Sequence, residues 1–592
     1  MNNSNKNQEK NQKNNPQDQL ISAKKELEEF KLNLEKQISQ LGYEGISIEE
    51  FKKMSEPNID EDPDLTRKVL LLKEECEKYF DYKSKLDDAI ILTPSNLNEV
   101  INSAEDLLFK YSLDKGIFQR SRSIVRVIRA KFLPEEKRFK RSRAKDAAII
   151  QEVDQAYLTL LLSELGKFSR LDSNGNICQI NCPEKISKYL LAKKEWKLPM
   201  LTGIINTPTL RYDGSILDKQ GYDEFSGLLL VSNEFDFEKI PENPTPQEIE
   251  EAKNIILRIF KDFPFENEAS LSVALAAVLT ALIRKSIPTA PLFGFSAPVM
   301  SSGKSLLADI VSLVLTGRPN GVISLTDSET EERKRILSIL LEGESLVCYD
   351  NVDKPFGNAT FCSILTQQEY KDRILNKNET KTVPTNITFL VTGNNLTFIG
   401  DISTRALICK LDPKVERPEE RRFDLNLYEY IPQNRGMLVS KFLTLLRGYI
   451  VAGKPKQDFK QYARFEEWSD LVRATIVWLG LADPCETRKD IEEEDPIRLQ
   501  LSALFNSWYE IFGDEEVKVR ELIDKANSSE EKSHALKEAL IEMSGNKGEI
   551  NVHKLPRKLA SFKNLFAGWH RVLNKGANQA TTFRAVEQIA TQ

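Results

Sequence analysis

Histidine and cysteine are scarce in this chain, and their scarcity removes whole classes of function. The three histidines all lie beyond residue 530, and the seven cysteines stand apart at 76, 178, 182, 348, 362, 409 and 485. Only Cys178 and Cys182 are close, and no second pair or nearby histidine completes four ligands, so a structural zinc is not expected. Buried reduced thiols are the expectation instead. Long apolar runs are missing too. The longest, LSVALAAVLTALI at 271–283, is too short to span a bilayer and reads as a buried helix, so no membrane partner is expected. The opening MNNSNKNQEKNQKNNPQDQ is polar throughout and has no apolar signal core, which fits a cytoplasmic protein. Excess positive charge is absent as well. Lys and Arg number 83 against 89 Asp and Glu, a net charge of −6, so any nucleic-acid surface must be local.

At 592 residues the chain exceeds a single core, and two to four domains are expected. Residues 1–19 are Asn/Lys/Gln-rich and read as a disordered tail. Residues 20–105 read as helical. Leu27, Phe30, Leu34, Ile38 and Leu41 recur at three- and four-residue steps, as in a short coiled coil or a helix packed on its own domain. Residues 106–240 read as an accessory, DNA-binding region, mostly helical in pattern as far as 170. Within it, 119–145 carries eleven Lys/Arg against two Glu. Arg120, Arg122, Arg126, Arg129, Arg138, Arg141 and Arg143 are the candidate phosphate contacts, a solvated basic face being the plainer alternative. From 196 to 233, β-rich runs alternate with turn dipeptides, a small β module in which Asp213, Asp218 and Asp223 suit turns better than catalysis. Residues 250–450 alternate strand and helix patterns, the mark of an α/β parallel sheet, with strands expected at 291–297, 321–326, 345–350, 387–393 and 405–411. A helical region follows over 451–540. A basic segment closes the chain over 545–592, with eight Lys/Arg against two Glu.

The stretch APLFGFSAPVMSSGKSLLADIVSLVLTG, 290–317, holds a strand, a polar turn and a helix stopped by Gly317. That is the setting of a P-loop, in which backbone N–H groups at a helix N-terminus meet phosphate. Ser301, Ser302 and Gly303 form the close-approach loop, Lys304 reaches the phosphates, and the Ser305 hydroxyl joins the Mg²⁺ coordination. The pattern's first glycine is replaced by Pro298. Downstream, ESLVCYDNV ends a strand in Asp350, a Mg²⁺ ligand at the end of a neighbouring strand. NITFLVTGNN ends another in Asn394, an amide suited to orienting the attacking water. Arg405 follows eleven residues later, placed to stabilise charge on a neighbouring subunit's γ-phosphate. After Asp350, where a general base is expected, stands Asn351, which accepts no proton. Either Asp353 serves, or hydrolysis is slow.

GNNLTFIGDISTRALICKLDPKVERPEERRF resembles the sensor and arginine segment of the primase-helicase ATPases of phages and integrative elements, relatives of AAA+ and superfamily 3 helicases. The resemblance extends to FQRSRSIVRV, LPMLTGIINTPTLRYDGSILDKQGYD, SSGKSLLADIV and EERKRILSILLEGESLVCYDNV, covering roughly 105–450. It implies an AAA+-like P-loop core, ATP and Mg²⁺ as cofactors, and an ATP-dependent helicase or translocase in the replication of a mobile element or phage. It also implies a ring oligomer, expected as a hexamer, on single-stranded or forked DNA. Lys304 and Ser305 take the nucleotide, Asp350 the metal, Asn394 the sensor role and Arg405 the finger. The C-terminal segment resembles a winged helix. No strand ends in the Asp-x-Asp pair that would hold two metals for nucleotidyl transfer, so primase activity is not expected; a separate primase stands among the candidate partners, and the sequence leaves its recruitment open. The alternative reading is a weakly hydrolysing, nucleotide-switched DNA-binding initiator or loader.

Overall fold

The computed structural model describes residues 16–54, 63–87, 89–92, 96–129, 148–171, 177–232, 237–373, 380–415, 417–421, 424–544, 548–561, 566–567, 570–575 and 582–587. The chain divides into two compact units, residues 1–128 with 150–201, and residues 129–149 with 202–592.

In the first unit, helices Pro16–Gln40 and Pro63–Asp87 pack on each other. Leu34 and Ile38 are buried with Ile48, Phe51, Val69, Leu72, Cys76 and Tyr79. The heptad-like seam is thus covered inside its own chain. The stretch to 170, expected as mostly helical, instead includes strands Ala89–Leu92, Ile117–Arg120, Ser123–Arg129, Ala148–Glu152 and Lys167–Leu171. The reason is side-chain chemistry. SIVRVIR is rich in β-branched residues, which crowd a helix and fit a pleated strand. It pairs antiparallel with Ile117–Arg120 around a two-residue turn in which Ser121 takes φ 52°.

The second unit is built on a five-stranded sheet of β1 Leu292–Ala297, β2 Val322–Ile323, β3 Leu346–Tyr349, β6 Thr388–Asn394 and β7 Ala406–Lys410. Between β3 and β6 the chain makes a separate hairpin of β4 Glu369–Arg373 and β5 Thr380–Pro384. The sheet order is β2-β3-β6-β1-β7, every pairing parallel. Parallel strands need crossover elements that cover both faces, and all six residues of β1 are buried. Helices α1 Glu268–Ile283 and α2 Lys304–Thr316 pack on this sheet, and α3 Glu329–Glu342 precedes β3. All of α1 is buried except Glu268 and Leu271. It is apolar on every side, as a core helix must be. Among the described residues it is the one helix long and apolar enough, with its extension to Ser286, to cross a membrane.

In the β module, Asp223 accepts bonds from Arg211 at 3.0 and 2.8 Å, and from Ser226. The Arg211 guanidinium and these bonds hold its carboxyl down to about 2. Asp213 accepts from the Ser215 backbone within a turn. Near the C-terminus, Val517–Lys518 pairs with Thr582–Glu587, and Leu501, Phe505 and Trp508 share a cluster with Leu540 and Leu555. The packing unit there begins near Pro496, well before the basic segment that starts at 545. Charge marks that segment, while shared apolar burial sets the core.

Candidate nucleotide-binding site

β1 ends at Ala297 and α2 begins at Lys304, so residues 298–303 form the loop between them. Thr245, Asn267, Ser328 and Asn358 cap their helices with side-chain oxygens, but no side chain caps α2. A helix start without a side-chain acceptor leaves its N–H groups for an external anion. Gly303 occupies the cap position at φ 102°, and a Cβ there would come within 3.1 Å of the Phe263 ring. Ser301 is also left-handed, at φ 59°. Ser302 Oγ and Lys304 Nζ both donate to the Val299 carbonyl, at 2.8 and 3.0 Å, and together close the loop. Partial burial lowers the Lys304 pKa, which the Asp350 charge opposes. This is a cation that gains by meeting an anion.

Because the strands are parallel, the ends of β1, β3 and β6 share one edge. Asp350 follows β3 there, and the Ser305 hydroxyl donates to its Oδ1 at 3.1 Å. Thr392 on β6 also donates to Asp350 Oδ1, at 2.5 Å, and its hydroxyl accepts from the Asn351 backbone at 3.1 Å. Nothing in the local sequence pattern marks Thr392. The sequence also suggested that the Asp350 strand neighbours β1, but β6 intervenes. Asn394, at the end of β6, is therefore the register partner of Ala297, the last residue before the loop. Its Oδ1 is buried with no hydrogen-bond partner among the described residues, an atom set for a ligand or water. Beyond Asp350 the chain turns sharply through Asn351 at φ 54°. The Val352 amide then donates to the Thr392 carbonyl at 2.8 Å. Asn351 and Asp353 are exposed and line a cleft with Asp350, Ser324, Asp327 and Lys354. Glu344 precedes β3 and lies at the opposite edge, out of reach as a base. Ser305, Asp350 and Asn394 suit a nucleoside triphosphate with Mg²⁺: hydroxyl and carboxylate oxygens for a hard cation, an open helix start for phosphate.

No family model matches the chain, and no curated protein matches it. Solved structures similar to it include the apo A form of the NrS-1 C-terminal region, at 13% identity over 81% of this chain and 98% of that one, TM-score 0.35. The SCCmec type IV Cch active helicase is 12% identical over 74% of this chain and 90% of that one, TM-score 0.29. The JCV helicase is 16% identical over 42% of this chain and 73% of that one, TM-score 0.19. The functional reading rests on the geometry of the site.

Arg405 is not with the other residues. It stands just before β7, whose Ala406 is the register partner of Leu292 at the start of β1, so it sits at the far edge of the sheet. Its side chain is 10% exposed and pairs with Asp401 at 3.1 Å, and it donates to the Cys362 carbonyl.

The basic arginines divide in the same way. Arg120 is 7% exposed, and burial pushes its pKa down to about 10. Its expected role as a phosphate contact is therefore corrected: it is a core residue of its strand. Arg126 lies over the Tyr157 ring at 3.8 Å and donates to Gln151 at 3.1 and 2.8 Å. Arg122 is exposed at the hairpin turn, and Arg129 ends its strand. Arg138, Arg141 and Arg143 lie outside the described residues. The β4–β5 hairpin supplies a basic surface that sequence reasoning missed. Lys371 and Arg373 are exposed on β4. Between them, Asp372 accepts from Arg333 of α3 at 3.2 and 2.8 Å and from Tyr370 at 2.9 Å, tying the hairpin to that helix. EYKDR carries no apolar alternation of its own, since exposed and half-buried positions alternate only once the strand is folded.

Proposed function

We propose that the chain is an ATP-driven DNA motor of helicase type, working as a ring of copies in the cytoplasm. One observation carries the reading: an uncapped helix start, Ser305, Asp350 and the orphaned Asn394 amide meet on one edge of a parallel sheet. Bound Mg-ATP would supply the anhydride bond to be hydrolysed. Lys304 would neutralise phosphate oxygens. Ser305 and Asp350 would hold the cation, with Thr392 fixing the Asp350 carboxylate. Asn394 would orient the attacking water. Asp353 is the acid available to take its proton, since Asn351 accepts none. A neighbour's charge at the phosphates would come from the opposite edge, where Arg405 lies.

The hairpin links this chemistry to DNA. It lies in the crossover between β3 and β6, and its base, where the Thr385 amide donates to the Gln368 carbonyl, leads into the start of β6. Lys371 and Arg373 would grip the phosphate backbone of a single strand or fork. Any primer would come from a separate primase. The exposed Asn351 favours one other reading, a nucleotide-switched initiator or loader that scarcely hydrolyses.

Steady-state ATP hydrolysis with and without single-stranded DNA, beside Lys304→Ala, tests the proposal. DNA-stimulated turnover that disappears in a folded Lys304→Ala variant is the expected result. Unchanged turnover in that variant overturns the site. ATP binding without turnover in the wild type makes the protein a switch.

A further inference from the structure

Two aromatic rings stand stacked in solvent on the β module. Thr209–Leu210 and Ile216–Leu217 pair around a turn that begins with Arg211 and Tyr212, and Gly221–Asp223 and Leu228–Leu230 pair around a turn that holds Phe225. The two ring centroids lie 5.1 Å apart at an interplanar angle of 11°. Tyr212 is 69% exposed and Phe225 55%. A contiguous pair of exposed rings, unlike one scattered apolar side chain, points to an interaction surface. The turns beneath the rings are fixed. Arg211 donates to Asp223 of the second hairpin at 3.0 and 2.8 Å, and to the Ser215 hydroxyl and Ile216 carbonyl of the first at 3.2 and 2.6 Å. Arg447 donates to the Gly214 carbonyl at 2.9 Å and seats the first turn on the helix Arg435–Val451. Acids surround the pair. Asp213 follows Tyr212, Glu224 precedes Phe225, and both are exposed with Asp218. The charges of Asp223, Asp213 and Asp218 all act on Arg211. Asp223 neutralises that arginine, so the other acids stand in excess, and Lys219 is the only exposed cation among residues 211–227. The Ser215 hydroxyl and amide hold the Asp213 carboxyl below the usual carboxylate range, so it is charged at neutral pH.

We infer that the Tyr212–Phe225 face docks an arginine-bearing segment of a partner protein. The guanidinium is a flat cation that lies on an open ring face and pairs with a carboxylate beside it. Charge selects among the candidate occupants. A nucleic acid would bring phosphates against Asp213, Asp218 and Glu224 and be repelled. A second copy presenting the same face would set acids against acids. An apolar segment would cover the rings and leave the acids without a counter-charge. A basic segment answers both features, since its cations meet the carboxylates while its side-chain stems and guanidinium planes cover the rings. None of these residues belongs to the nucleotide site, so the inference stands apart from the ATPase reading.

Fluorescence anisotropy tests it, with the full chain and a labelled peptide of alternating Arg and Gly. The wild type should bind the peptide, and Tyr212→Ala combined with Phe225→Ala should weaken binding about tenfold or more. Asp213→Asn combined with Glu224→Gln should weaken it as well and flatten its dependence on salt. Removing equal charge elsewhere, by Asp524→Asn with Glu538→Gln on exposed helix positions, should leave it unchanged. If the alanine variant melts early, Tyr212→Leu with Phe225→Leu repeats the measurement with apolar bulk and no ring. No binding, or binding unchanged in the ring variant, overturns the inference. Equal weakening by the distant charge changes also overturns it, because binding then follows net charge alone. A labelled single-stranded oligonucleotide that loses affinity in the ring variant, while the peptide does not, overturns it in favour of base stacking. Sedimentation that changes in the ring variant, again with peptide binding intact, overturns it in favour of a contact between copies.

Discussion

Ser305 and Asp350 lie 45 residues apart in the chain, yet the serine hydroxyl donates to the aspartate Oδ1 at 3.1 Å. One lies in the first turn of the helix after β1, and the other directly follows β3. The strand between them, β6, brings Thr392 to the same carboxylate oxygen. A hard divalent cation prefers such a group of oxygens. Asp350→Asn keeps a partner for Ser305 but removes the charge. Turnover should fall about 100-fold or more, since metal-assisted charge stabilisation is worth several kcal/mol. Mg²⁺ titration of ATP hydrolysis measures it, and normal Mg²⁺ dependence in the Asp350→Asn variant would remove Asp350 from the site.

Thr392 is the sharper test, because it touches the proposed metal site only through Asp350 and the Asn351 amide. Thr392→Val keeps the shape and removes the hydroxyl. Losses in Mg²⁺ affinity or turnover of about 10–100-fold are expected, as for other groups that orient a ligand. Thr392→Ser should restore most of the loss.

Gly393 carries the same geometry in its backbone. A Cβ there would lie 2.4 Å from the Val352 carbonyl oxygen, an overlap that backbone alone can relieve. Gly393→Ala should cost about 1–3 kcal/mol of stability and separate Asp350 from Asn394. Chemical denaturation gives the first effect and ATP turnover the second. Full stability and activity in the Gly393→Ala variant would show that the turn after Asp350 is free to move.

These residues divide into what a linear pattern carries and what it does not. The five strands were legible because each is a short apolar run bounded by turn residues, and Gly317 stops α2 as its position suggested. The positions of Asp350 and Asn394 could be read from the ends of such runs, and those of Lys304 and Ser305 from the start of the helix that follows the β1 loop. Thr392 was not legible, since its role depends on β6 lying between β1 and β3, and strand order leaves no mark in local periodicity. Arg405 was found by spacing, but its burial against Cys362 comes from packing. Arg120 failed for the same reason: eleven positive charges within one short segment show charge, not which side chain turns inward.

Lys304 gives a pH dependence of known sign. Partial burial lowers its pKa below 10.5, chiefly by desolvation. Bound phosphate favours the protonated amine, so ATP affinity should be full at neutral pH. It should fall as pH rises through the amine's own pKa, at a midpoint below 10.5. Calorimetry in buffers of different ionisation heats should detect proton uptake on ATP binding within that window. Binding that stays constant to pH 10.5 would mean that the Lys304 amine does not meet the phosphates.

The two basic surfaces make different demands on DNA binding. Each phosphate contact to a single strand contributes about 0.7 to the slope of log affinity against log salt. Replacing Lys371 and Arg373 with Ser on the β4–β5 hairpin should lower that slope by about 1.4 and abolish DNA stimulation of turnover. Replacing the exposed Arg122 should lower the slope by about 0.7 at most and leave stimulation in place. Arg120→Ser should do neither, because its buried guanidinium faces no phosphate, and should instead lower the melting temperature. If the hairpin variant keeps the wild-type slope while Arg122→Ser loses it, DNA binds at the accessory β-hairpin, and β4–β5 is a structural insertion tied to α3 by Asp372.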